Sequence, residues 1–586
     1  GIIFFFHSFF ALTSKATSDT SNFNTNPFFE SVSVNQIELD SSLRYLHIYD
    51  PAIFRSYYGL GFPGAASRPL IFNSDNSIGI HPLFNSYVPF LLTTNFRTHF
   101  NFKKPITLVQ YIIYPSLKTE QYLDLFHSRN INKNFNVGFK IRKVKSNGYY
   151  LHQGSNISNV LAYSDFHSSN NRYKLYLNFI YDGIISIENG GVINDSVEFN
   201  SKSINLKSMP VNISDAKNRI LVYGGSINQS FDFGTYKTTV MDSLTSKTEF
   251  IPSSRIQLDF DYTKHATTYL DADPLSSFYE NTFKDSIDTF DKLSHEKYQS
   301  KFSYTTLENK RSGNKRFLLT CIGISNEYSV LERKERIKTF DNTSTFLRFR
   351  SNSTSDYRLN LSGNYFFEGY NNKNYEAELL LGKRFLDSSN YSFISDLIFN
   401  VSKRNQDYVF QNYYSNHFIW TNNFEALTTK SINFWLRAKA IANINLKYES
   451  IEGWVYLDSN SRPARLANEI KFFSGRLCKL IQIGEFYLDA NIIYQKVLSG
   501  NDVFLLPSWY TRNSVYWKSK VFKNALDLQI GLDLLYTSKY YGQAYQPALN
   551  SFYYQNKKEV GGYPSFDLFV NFKIRQARLF FKVDHL

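Results

Sequence analysis

Among its 586 residues the chain has only 2 Cys and 2 Met, and past the N-terminus it has no apolar run of the roughly 18 residues that a membrane-spanning helix needs. Cys321 and Cys478 lie in strand-like stretches with no CxxC pattern, which argues against a disulfide framework or a thiolate metal site and leaves two isolated thiols. Catalytic signatures are missing as well. No HExxH, GxSxG, P-loop or His/Cys cluster with metal spacing occurs, and the 11 histidines are scattered. His265, inside an alternating stretch, is the kind of residue that could serve a membrane-embedded hydrolase with a distant serine, but alone it reads as a passive lining residue. There is also no block of one charge: the formal net charge of +14 is spread along the chain, which argues against nucleic acid as a partner. No catalytic residue, metal ligand or cofactor is expected.

What the chain does have is aromatic residues, 54 Phe and 43 Tyr, at a mean hydropathy of only −0.35. That balance suits strands with one oily and one wet face better than helices. The stretch 431–448 carries the pattern most clearly. Phe434, Leu436, Ala438, Ala440, Ala442, Ile444, Leu446 and Tyr448 fall on one side, and Trp435, Arg437, Lys439, Ile441, Asn443, Asn445 and Lys447 on the other. Read as one strand, it exceeds the roughly 9–11 residues that cross a bilayer at a tilt. A register slip by one would push Arg437 and Lys439 toward lipid at roughly 2–4 kcal/mol each near the midplane, so one facing dominates.

The pattern recurs. Phe135, Val137, Phe139 and Ile141 oppose Asn136, Lys140 and Arg142; Tyr173, Leu175, Leu177, Phe179 and Tyr181 oppose Lys174, Asn178 and Asp182. Ile256, Leu258, Phe260 and Tyr262 oppose Gln257, Asp259 and Asp261, and similar two-faced stretches cover 357–368 and 526–536. Two stretches are imperfect, with Lys383 on the apolar face of 374–386 and Asn422 on that of 417–428. Short links near 352–355, 387–390, 429–430, 475–477, 523–524 and 575–576 alternate with longer ones near 404–416, 449–464, 495–507 and 538–564. Short periplasmic turns alternating with long external loops are the rhythm of a large antiparallel transmembrane β-barrel, here of roughly 18–22 strands. The region 235–254 breaks the rhythm, and a strand pair is expected within it.

Residues 1–16 read as the hydrophobic part and cleavage site of a signal peptide whose basic start is missing, and a polar tract covers 17–26. Residues 17–105 form an irregular N-terminal segment, periplasmic or inside the lumen, and 106–586 form the barrel. By the parity of the links the last stretch, 577–586, runs outward, so a further returning strand is expected. In ENGGVIND, Gly190 and Gly191 with Asp195 beyond them read as a plain loop, with a cation-binding turn as the alternative.

Three stretches give a resemblance: HIYDPAIFRSYYGLGFPGAASRPLIF (47–72), NFNVGFKIRKVKSNGYYLHQGSN (134–156) with NNRYKLYLNFIYD and ENGGVIND after it, and YYGQAYQPALNSFYYQNKKEVGGYPSFDLFVNFKIRQARLFFKVDHL at the end. With these the chain resembles the putative porin family of Bacteroidota outer membranes. The resemblance implies a large outer-membrane barrel and carries over no functional residue. On this reading the function is passive diffusion of small hydrophilic solutes. The alternative is a barrel closed by its N-terminal segment, acting as a substrate-specific transporter or as a platform for a surface or secretion partner. Expected pore-lining residues are Lys140, Arg142, Lys174, Asp259, Arg358, Arg437, Lys439, Asp527 and Asp533, and with both signs present only a slight anion preference is expected. The expected partners are outer-membrane lipid and small hydrophilic solutes or ions, with a second copy or a surface protein as further candidates.

Overall fold

The computed structural model describes residues 42–50, 52, 56–75, 77–92, 98–100, 102, 104–113, 120–193, 206–242, 245–274, 277–307, 318–334, 336–351, 356–385, 393–438, 442–500 and 502–586, and only the backbone at 33–35, 98, 239–242, 245–247 and 318–319. The expected signal peptide and polar tract, together with Asp195 and Lys439, lie outside the described residues.

Twenty-one strands close into one barrel among the described residues. They are β1 (Ile106–Ile113), β2 (Gln121–Asn130), β3 (Phe135–Ser146), β4 (Gly154–His167), β5 (Tyr173–Glu188), β6 (Ala216–Asp242) and β7 (Thr245–Asp271). Next come β8 (Thr289–Thr306), β9 (Leu318–Arg333), β10 (Arg336–Ser351), β11 (Tyr357–Gly369), β12 (Tyr375–Phe385), β13 (Phe393–Arg404) and β14 (Leu427–Ala438). The ring ends with β15 (Ala442–Glu452), β16 (Ile470–Ile483), β17 (Phe486–Ser499), β18 (Trp509–Val521), β19 (Leu526–Thr537), β20 (Pro564–Ile574) and β21 (Ala577–Val583), which adjoins β1. Each strand pairs antiparallel with the next, as β1 does with β2 and β20 with β21.

Period two sets the faces. On β7, Leu258 and Phe260 are 48% and 45% exposed, whereas Gln257 and Asp261 on either side of them are 8% and 6% exposed. The oily side therefore faces out and the polar side in, the reverse of a water-soluble protein and the arrangement that lipid demands. Among the described residues no helix is long and apolar enough to cross a membrane. Lys383 faces outward over the Tyr357 and Phe385 rings, at 5.2 and 4.8 Å from their centroids, so its charge is held by aromatic faces.

The stretch 431–448 is not one strand. It splits into β14, which ends at Ala438, and β15, which begins at Ala442, with these two residues paired. Directly paired residues of an antiparallel hairpin share a face, and 438 and 442 are both even, so alternation runs unbroken from one strand to the next. The expected link at 429–430 lies inside β14, and no barrel strand covers 417–426: 405–426 is a long link holding a short helix (Tyr408–Gln411) and a small hairpin of Asn412–Tyr414 with Ile419–Thr421. The expected link at 475–477 lies inside β16. The turn comes at 484–485, where Gly484 supplies a φ of +60° at the first position of a two-residue hairpin.

At one end of the barrel most links are short, including 131–134, 484–485, 522–525 and 575–576; at the other stand the long ones, 189–215, 272–288, 405–426, 453–469 and 538–563. The region 235–254 hides no extra strand pair. Instead β6 and β7 continue past their neighbours, whose pairing stops at Phe231 and Ser254. At roughly 3.3 Å per residue, this ribbon stands on the order of 30 Å beyond the short-turn end.

Described residues of the N-terminal segment pack against the inward strand faces. Leu43, Leu46, Ala52, Tyr87, Phe90 and Leu91 pack on the inward faces of β1 to β6 and on Phe580 of β21. Farther round the ring, Phe72 joins Ile451, Ile470, Phe472 and Phe504, Ile80 joins Leu293, Leu331 and Phe340, and Leu70 joins Ile493 and Tyr510. At the long-link end, Ile213, Tyr279, Phe418, Trp420, Leu457 and Leu549 come from five different links and pack together across the mouth.

Candidate functional site in the barrel interior

A strand that turns alternate residues inward presents a ladder of polar side chains to the lumen. Here that ladder holds the segment. Asp489 on β17 accepts from Arg44 Nε and Nη2 at 2.8 Å each and from the Tyr45 hydroxyl at 2.6 Å. Asp533 on β19 takes His47 Nε2 at 2.8 Å, and the ring of His47 stacks on Phe569 with centroids 3.7 Å apart. Ser74 donates to Glu449 at 2.5 Å, Tyr87 to Glu188 at 2.7 Å and the Leu92 amide to Asp182 at 3.1 Å, while His99 bonds Asp165. Six wall carboxylates thus hold donors from one continuous segment.

Burial sets the segment's electrostatics. It holds the His47 imidazole below its ordinary pKa, against the opposing pull of Asp533. Arg68, buried and donating to the carbonyls of Phe504 and Leu505 at 2.8 and 3.2 Å, is pushed down to about 10 and still carries its charge at neutral pH. Burial also drives the Tyr87 phenol well up, so it remains a donor to Glu188.

The residues expected to line a pore are mostly engaged with wall partners that the sequence did not single out. Lys140 and Arg142 share Asp124 at 3.1 and 3.0 Å. Lys174 shares Asp232 with Arg255 at 3.1 and 2.6 Å, and Arg358 and Arg437 share the fully buried Asp396 at 2.6 and 2.8 Å. Each cluster sets two bases on one acid, leaving one positive charge. Asp259 accepts from Gln257 at 2.9 Å and bonds Asn228, and Asp533 is committed to His47 and Ser514. Asp527 lies 3.7 Å from Lys520, beside the exposed 522–525 turn and away from the other residues. Asp489, Glu449, Glu188 and Asp165 were not singled out from the sequence; their inward parity was readable there, but the donors that make them anchors lie far off in the chain.

His265 lines a cavity of about 460 Å³ between residues 77–83 and the inner faces of β6 to β9. In ENGGVIND the Asn189 side chain accepts from the Gly191 amide at 3.0 Å, with both glycines at positive φ, as in a plain turn. The two cysteines are free thiols, and among the described residues no group of three or more His, Cys, Asp or Glu is placed to hold a metal ion.

A closed barrel with an oily exterior and long loops at one end is one of the known designs of outer-membrane transport proteins. The family model described as "Putative porin" matches residues 21–586. The chain belongs to this family. Solved structures share its fold at low identity. The FrpB iron transporter of Neisseria meningitidis (F5-1 variant) matches with TM-score 0.54 and 11% identity over 82% of this chain and 76% of its own. BauA, the ferric preacinetobactin receptor of Acinetobacter baumannii, gives TM-score 0.54 and 12% identity over 90% and 87%. The ferripyoverdine receptor of the Pseudomonas aeruginosa outer membrane gives TM-score 0.54 and 10% identity over 83% and 69%. No curated protein matches the sequence. This porin-family chain is an outer-membrane transport barrel.

Proposed function

We propose that this porin-family chain is a gated transporter for small hydrophilic solutes, kept shut by its own N-terminal segment until part of that segment moves. The observation that carries the reading is the set of six wall carboxylates bonded to residues 44–99. Apolar burial adds to it: Leu43, Tyr87, Phe90 and Leu92 are each at most 2% exposed, and burial of such side chains stabilises by roughly 1.5–3 kcal/mol apiece. Spontaneous withdrawal of the whole segment would then be rare, and transport proceeds by local displacement or by work from a partner. Passive diffusion through a permanently open lumen is the rival reading. When the path opens, the three clusters of two bases on one acid favour anions weakly. The test is conductance in planar bilayers under a salt gradient, with the intact chain and with a variant lacking residues 42–92. A closed intact chain and a large conductance in the deletion support gating; large steady steps from the intact chain mean an open porin. A cation-directed reversal potential during openings of the intact chain overturns the anion preference; the deletion does not test it, because it bares Asp182, Glu188, Glu449, Asp489 and Asp533.

A further inference from the structure

The 460 Å³ cavity lies well within the size range of small-molecule sites. Its two walls differ in chemistry. The segment side is mostly aliphatic, with Ile78, Ile80, Pro82 and Leu83 beside His81, and the strand side carries His265, His295, Lys297, Lys301 and Glu327. On the long-link side it is covered by the packing of Ile80 with Leu293, Leu331, Phe340 and Tyr408, and the Val409 amide donates to the His81 carbonyl at 3.1 Å. A solute coming from that end must displace the 405–426 link to enter.

Three polar atoms on the strand wall are buried without a hydrogen-bond partner: His265 Nε2, His295 Nε2 and Glu327 Oε1. His295 is 9% and Glu327 6% exposed. Leaving such groups unmet is costly, and buried polar atoms in folded proteins nearly always have partners. The register explains their placement. His265 pairs directly with His295 across β7 and β8, and Glu327 pairs with Gln299, four residues farther along β8 than His295. The two sets of unmet groups are therefore about 13 Å apart along the wall. Between them Lys297 lies 3.8 Å from Glu327, too far for a hydrogen bond, so this ion pair is loose and open to the cavity. Lys301, also on the wall, is already engaged elsewhere.

We propose that this cavity binds a short peptide with free termini, its ammonium on Glu327, its carboxylate in reach of the paired histidines, and its side chains against the aliphatic wall. A simple anion would meet Glu327 and gain nothing from the aliphatic wall, and a sugar would find no Phe, Tyr or Trp in the lining to stack on. About 13 Å corresponds to three or four extended residues at roughly 3.3–3.6 Å each. The assignment names the solute class for the gated reading and rests on it.

The test is calorimetric titration of the full chain in detergent with Ala-Leu-Ala-Ala, its N-acetylated form and citrate. The free peptide should bind, acetylation should abolish binding, and Glu327→Gln and His295→Gln should each weaken it at least about tenfold. A heat-modifiable gel shift checks that both variants remain folded barrels. Citrate binding that is insensitive to Glu327→Gln overturns the peptide assignment in favour of an anion site. Absence of peptide binding by a chain that is closed in the bilayer assay overturns it and leaves the gate standing, whereas open conductance by the intact chain removes the gate itself.

Discussion

Asp489→Ala tests the attachment of the segment most directly, because this one carboxylate holds three donors from two consecutive segment residues. It is 6% exposed on the inner face of β17, while the Arg44 side chain is 29% exposed. Breaking a fully buried pair costs roughly 3–5 kcal/mol, and the partial exposure of Arg44 lowers that to about 2–3 kcal/mol. At about 1.36 kcal/mol per tenfold, local opening of residues 42–50 should become roughly 30- to 150-fold more frequent. Hydrogen exchange of the intact chain in nanodiscs reads this, with 77–92 as the internal control because its anchors to Glu188 and Asp182 are untouched. Faster exchange confined to 42–50 is expected, and Asp489→Asn, which keeps an acceptor, should fall between the two. Unchanged exchange at 42–50 would refute the idea that this carboxylate anchors the segment. Exchange that rises equally throughout the barrel would mean that Asp489 supports the wall instead.

Acid should loosen the same region. Burial lowers the pKa of His47 in the folded chain, so its neutral form is favoured and its stabilising contribution is complete above the ordinary value near about 6.5. That contribution is lost as pH falls from there through the lowered value; exchange at 42–50, corrected for its intrinsic pH dependence, should rise over that window, and His47→Gln should flatten the profile. Gly138 faces the Tyr163 ring so closely that an added Cβ would stand 2.2 Å from it, and Tyr163 donates to the Phe100 carbonyl at 3.0 Å. Gly138→Val should therefore cost about 1–3 kcal/mol and lower the temperature of the heat-modifiable gel shift; an unchanged temperature would mean the ring has room to move. Leu258→Arg places a cation on the lipid face and should cost roughly 2–4 kcal/mol in a urea titration of the barrel in vesicles, with no change expected if that face contacted water.

The sequence by itself determined the barrel and the direction each strand faces. Facing is a local property: residues 256–262 alternate oily and polar, and only one choice of side keeps Gln257, Asp259 and Asp261 out of lipid. It could not place the break between β14 and β15, because the paired residues Ala438 and Ala442 have the same parity and the alternation shows no interruption. The long ribbon of β6 and β7 was misread for a related reason, since composition does not say where a strand leaves the membrane. Lys140, Arg142, Lys174, Arg358 and Arg437 were legible as inward-facing bases, but not the acids that hold them. What only the tertiary structure decided is which residues the inward faces hold. Arg44 meets Asp489 and His47 meets Asp533 across more than 440 residues of chain, and only closure of the ring brings those pairs together. The energy that holds the segment is therefore stored in contacts that no local pattern records.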